Sequence, residues 1–166
     1  MIRAPAIVSA VACLAWATAA VAAPRFAPHP TPAQIAASVT RYGAGETVNA
    51  LFDQHRWDFV SERIAAGDGA WLALAAKLAP GVDAGTAEEL PIDLAFALPR
   101  NAAAVLAAIR DGASDVGDVC SAPFIEDTVK DIPAYRRHAV AAVERVADPR
   151  LATTKTACLV ALRKPD

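Results

Sequence analysis

The chain has 166 residues, with 16 Lys plus Arg against 18 Asp plus Glu and a net charge of −2. That length suits one domain with a real core, and the mild acidity argues against a nucleic-acid-binding surface. Alanine inflates the 55% apolar content, and apolar residues rarely alternate with polar ones, so the expected class is all-α.

Residues 1–22 read as a secretory signal peptide. Arg3 gives a positive start, Ala4 to Ala19 is apolar almost throughout, and Ala20-Val21-Ala22 offers small residues before a cleavage site. An uncleaved anchor would need about 20 strongly apolar residues, and this run is marginal in length and poor in Leu and Phe. A lipoprotein cleaved at Cys13 would begin inside the apolar run. Cleavage after Ala22 leaves 144 residues of net charge −3 and predicts a periplasmic or secreted protein with no membrane contact once the leader is gone. Residues 23–30, with Pro24, Pro28 and Pro30, predict an extended and mobile arm. Residues 31–166 are then a single helical domain.

About seven helices follow. Thr31, Pro32 and Gln34 form a capping-box start for a helix that Gly43 closes. A second helix covers roughly Glu46 to Gln54, with Val48, Leu51 and Phe52 on one face, and a third runs from about Arg56 to Ala66 through Trp57, Val60 and Ile64. Asp68 caps a helix with Trp71, Leu72, Ala75 and Leu78. Thr86 and Glu89 suggest a second capping box, opening a helix with Leu94, Phe96 and Leu98, and Pro91 sits early enough to delay its start. Asn101 caps a helix with Val105, Leu106 and Ile109. Gly112 to Thr128 is the longest irregular stretch. A helix from about Pro133 to Val146 carries Tyr135, Ala139 and Val143. Asp148-Pro149 starts the last one, through Leu151, Cys158 and Leu162.

The segments opening at Asp68 and Asn101 align at an offset of 33, and Asp148 opens another helix 47 residues on. With these spacings the chain resembles HEAT-like helical repeats over roughly residues 56 to 163. The resemblance implies stacked antiparallel helix pairs, as an α-solenoid or else an irregular bundle. A second resemblance rests on Gly67-Asp68 with Trp71-Leu72, on the run from Gly81 to Leu90, on Leu98 to Asn101 with Val105-Leu106, and on Val119-Cys120 with Pro123 to Glu126. These segments look like a set of small secreted proteobacterial all-helical proteins of unknown function. That resemblance implies export and a helical fold, and no catalytic residue.

Loss of the leader removes Cys13 and leaves Cys120 and Cys158. In an oxidising compartment two cysteines commonly pair, and this loop would contribute about 4 kcal/mol. The alternatives are two buried thiols or a metal pair. No His or Cys cluster has zinc spacing, so no metal and no other cofactor is expected.

Other candidates are weaker. Asp53-Gln54-His55-Arg56-Trp57-Asp58 sets a histidine among acids, as a general base requires, but the segment also reads as a junction between helices in which Asp53 meets Arg56. Asp83-Ala84-Gly85-Thr86 is superficially like an aspartic-protease turn, with the order changed and helical flanks. Asp111, Asp115 and Asp118 lack the spacing of a calcium loop. His138, beside Arg136 and Arg137, reads as a solvated basic face, and His29 as an exposed arm residue. No phosphate loop, nucleophile elbow, His-Glu-x-x-His or Cys-x-x-Cys is present.

The leading expectation is a periplasmic, non-catalytic helical-repeat domain that binds an envelope protein or peptide. The alternative is an immunity or inhibitor protein against an envelope-acting toxin. A hydrolase centred on His55 or the Asp83 turn comes third.

Overall fold

Short helices with well-made ends build the chain. A computed structural model describes residues 23–82, 88–125 and 128–164. The leader, the Asp83–Thr86 turn with its capping box, and Glu126 lie outside the described residues. Among the described residues there are nine α-helices and no strand. They are α1 (Pro32–Tyr42), α2 (Ala44–Asp53), α3 (Trp57–Ala65), α4 (Gly69–Leu78), α5 (Glu89–Ala97), α6 (Ala102–Arg110), α7 (Val116–Cys120), α8 (Ile132–Glu144) and α9 (Ala152–Leu162). No described helix is long and apolar enough to cross a membrane.

Side chains close to each helix start supply the caps. The Thr31 hydroxyl accepts from the Gln34 amide at 3.3 Å, and Gln34 Oε1 accepts from the Thr31 amide at 2.8 Å. Asp68, Asn101 and Asp131 cap α4, α6 and α8 in the same sense. Pro91 falls in the first turn of α5, where its missing N–H has no partner to lose. Helices of this length are marginal in isolation, so packing of their apolar faces must supply the stability.

The packing order is regular. α3 lies on α5, α5 on α7 and α7 on α9, while α4 lies on α6 and α6 on α8. Consecutive helices α3 and α4, α5 and α6, and α8 and α9 also touch, and α1 and α2 pack on each other and on α4. One continuous core runs through the stack. Trp57, Val60, Ile64, Leu72, Leu78, Leu94, Leu98, Leu106 and Leu162 are almost wholly buried in it. Asn101 joins two turns of this stack. Its Oδ1 accepts from the Ala104 amide at 3.3 Å, and its Nδ2 donates to the Gly67 carbonyl at 2.9 Å.

Four features differ from the sequence expectations. The proline-rich arm is docked, not loose: Gln54 Nε2 donates to the Pro24 carbonyl at 2.9 Å, and Gln54 Oε1 accepts from the Phe26 amide at 2.8 Å. Pro24 and Pro30 are buried, and the exposed His29 ring meets Phe59 edge-on at 5.0 Å. The irregular stretch after Gly112 contains α7. The last helix opens with a 3-10 turn, Pro149–Leu151, capped by Asp148. Arg137 and His138 are exposed as expected, but Arg136 beside them is only partly exposed and is engaged. Its guanidinium donates to the carbonyls of Leu162 (3.3 Å), Lys164 (2.6 Å) and Ser121 (3.2 Å), satisfying acceptors at the end of α9. The cysteines do pair: Cys120 on α7 and Cys158 on α9, both fully buried, are joined with Sγ atoms 2.04 Å apart.

Candidate functional site

The polar segment Asp53–Asp58 is a tight reversal between α2 and α3. His55 takes a left-handed backbone (φ 54°) and its side chain faces solvent. Its amide donates to the Phe52 carbonyl at 2.9 Å, while its own carbonyl accepts from Arg56 Nη1 at 3.2 Å. Asp53 and Asp58 are exposed, and no ion pair joins Asp53 to Arg56. Trp57 turns the other way. It is 1% exposed and stacks on Phe52 at 4.8 Å, and its Nε1–H donates to Glu89 Oε2 at 2.6 Å. The junction therefore spends Gln54 on the arm and Trp57 on the core. It does not bring His55 and the buried polar groups together. Asp83 lies outside the described residues.

Behind Trp57, between α3 and α5, is a buried carboxyl. Asp93 is 6% exposed and shares a helix face with Leu90, Leu94 and Ala97. Ser61 on α3 is close enough to favour its charged form, and its Oδ2 has no hydrogen-bond partner. Burial, reinforced by the nearby Glu89 charge and opposed by the Ser61 hydroxyl, pushes its pKa from 3.8 to about 7. The pattern Leu90-Asp93-Leu94-Ala97, an acid in register with an apolar stripe, is the sequence signal for this group. Asp93 is not among the residues lining the four clefts described along the surface.

The surface opens beside the start of α5. One cleft of about 480 Å³ lies between the Ala79–Gly81 turn, the start of α5 and the Gly112–Asp118 segment. A second, of about 460 Å³, lies between the start of α5 and the chain from Asp118 to Ile125. Pro91 and Asp118 line both, so the two adjoin and together make the α5–α7 groove. The second part is mostly apolar, with Ile92, Pro123 and Ile125, whereas the first is about half polar, with Ser114, Asp115 and Asp118 beside Ala79, Pro80 and Val82. Each part has the size of a site that takes a few side chains.

The far wall is held rigidly. Ala122 adopts a left-handed backbone (φ 62°), and Phe124 wedges inward against Phe96 and Tyr135, each at 4.7 Å. Tyr135 donates its hydroxyl to the Ala95 carbonyl at 2.8 Å, and the disulfide fixes α7 from beneath. With Phe124 turned in, Ile125 is left 57% exposed. Only Val160, at 64%, joins it as an exposed large apolar side chain among the described residues. Of the three loop acids, Asp111 pairs with Arg110 at 2.8 Å, whereas Asp115 and Asp118 both line the groove. Residues 79–125 build this surface from five segments, so no local sequence signal marks it.

No family model, no curated protein and no solved structure matches the chain.

Proposed function

We propose that this chain is an exported, non-catalytic helical-repeat protein that binds a partner protein or peptide of the cell envelope in the α5–α7 groove. The observation that carries the reading is the groove itself. It is apolar in its second part, adjoins the more polar first part at Pro91 and Asp118, and ends on an Ile125 side chain that the Phe124 wedge holds out in solvent. A clustered apolar surface of this kind on a protein otherwise well packed marks a contact site.

Export is supported by the leader pattern of residues 1–22 and by the Cys120–Cys158 bond, since such bonds persist chiefly in oxidising compartments. The repeat reading is supported by the alternation of contacts, in which each helix from α3 onward packs on the one two places along the chain. The non-catalytic reading is supported by the disposition of the polar groups. His55 is exposed and has no side-chain hydrogen bond to Glu89 or Asp93, of which Glu89 accepts from Trp57 and Asp93 is buried between α3 and α5.

Site-specific photo-crosslinking tests the reading. A photoreactive residue at Ile125 in the intact exported chain is expected to give a discrete adduct, and the same residue at Val160 is expected to give none. Equal labelling at both positions, or none at either, refutes recognition through this groove.

A further inference from the structure

We infer that the groove takes a cationic apolar segment, an extended stretch in which Lys or Arg neighbours aliphatic side chains. The inference rests on the docking reading above and adds the chemistry of the occupant.

The charge around the groove is one-sided. Glu88 borders the second part, Asp115 the first and Asp118 both. All three residues are exposed or partly exposed, and none is in an ion pair with a described residue. No Lys or Arg is among the described residues lining either part. Arg110, next to the lining residue Ile109, forks onto Asp111, and Arg136 donates to main-chain carbonyls that include that of Ser121. A chain of net charge −2 therefore concentrates three unpaired carboxylates along this groove.

The chemistry of a fitting occupant follows. Aliphatic side chains lose water against Ile92, Pro123 and Ile125. Ammonium or guanidinium groups reach the exposed rim, where they need not be desolvated and where they steer approach. An acidic segment would meet the same apolar floor and be repelled at the rim, so the rim discriminates by sign.

Three fluorescent hexapeptides test this on the whole mature chain. One alternates Leu with Lys, one Leu with Ser and one Leu with Glu. Anisotropy titration at low ionic strength is expected to show saturable binding that ranks Lys above Ser above Glu. Binding of the lysyl peptide should weaken several-fold on moving to about 0.15 M salt, where the Debye length is about 8 Å. Replacing Glu88→Gln, Asp115→Asn and Asp118→Asn together should weaken the lysyl peptide about tenfold or more, at about two- to fivefold per exposed pair lost, and leave the seryl peptide unchanged. Ile125→Ser should weaken both.

Equal affinity for the three peptides, or a lysyl peptide indifferent to the triple substitution, overturns the inference. If the seryl peptide binds as tightly as the lysyl one and Ile125→Ser abolishes it, the cationic occupant is refuted while the groove stands. If no peptide binds, the inference is refuted, and the Ile125 crosslink separately decides whether a partner of other chemistry docks there.

Discussion

Asp93 makes the stability of this protein depend on pH in an unusual direction. Its folded pKa of about 7 lies above the unfolded value of 3.8 because burial opposes the charged form. Below about pH 4 the carboxyl is protonated in both states and costs nothing through ionisation. Between about pH 4 and 7 only the folded chain holds the proton, so stability falls by about 1.4 kcal/mol per pH unit. Above pH 7 both states are ionised and the loss is complete, at about 4 kcal/mol. That is a large fraction of the roughly 5–15 kcal/mol typical of a domain. Asp93→Asn removes the ionisation, while its amide hydrogens cost about 1–3 kcal/mol if they find no acceptor. The variant is expected to be slightly less stable than the parent at pH 4.5 and about 1–3 kcal/mol more stable at pH 8. Urea unfolding followed by tryptophan fluorescence from pH 4.5 to 8.5 reads both curves. Parallel curves, with the same pH slope in parent and variant, would refute the reasoning.

Three further perturbations probe other joints of the fold. Reducing the Cys120–Cys158 bond, which closes a loop of 38 positions, should lower stability by about 4 kcal/mol, measured by thermal unfolding with and without reductant. An unchanged midpoint on full reduction contradicts this. Gly81→Ala should cost about 1–3 kcal/mol in urea unfolding, because a Cβ there would lie 2.3 Å from the Ala44 carbonyl carbon and force the Ala79–Gly81 turn off α2. Gln54→Ala should release the arm with only about 1 kcal/mol of global effect, so trypsin should cut after Arg25 much faster while α3 to α9 stay protected. Unaltered cleavage at Arg25 would mean that Gln54 does not hold the arm.

The parts of this fold that were legible in the sequence are those whose causes are local. Thr31, Asp68, Asn101 and Asp148 each bond an amide two or three residues away, so a short window contains both donor and acceptor. The apolar faces of α3, α4 and α6 repeat at helical spacing and all face the core. Where partners are distant, the sequence misleads. Four prolines between Pro24 and Pro32 read as a free arm because Gln54, which holds it, is 28 and 30 residues further on. Arg136 reads as a solvated cation because its acceptors belong to the end of α9 and to Ser121. The five residues of α7 have no side-chain cap, and the covalent tie of Cys120 to α9 is what anchors them. Of the polar candidates, His55, Asp53 and Arg56 stand out by local density alone, which describes a helix junction as well as a site. The groove has no local density, since Ala79, Leu90, Asp118 and Ile125 meet only after the helices stack.

Recognition through the α5–α7 groove is the function proposed for this protein. Amide chemical-shift mapping tests it most directly, using the isotopically labelled mature chain titrated with the protein identified from the Ile125 crosslink. Shifts concentrated in residues 88–92 and 112–125, with α1 and α8 undisturbed, are the predicted result. Shifts centred on α1 or α8, with Ile92, Asp118 and Ile125 unmoved, would contradict it.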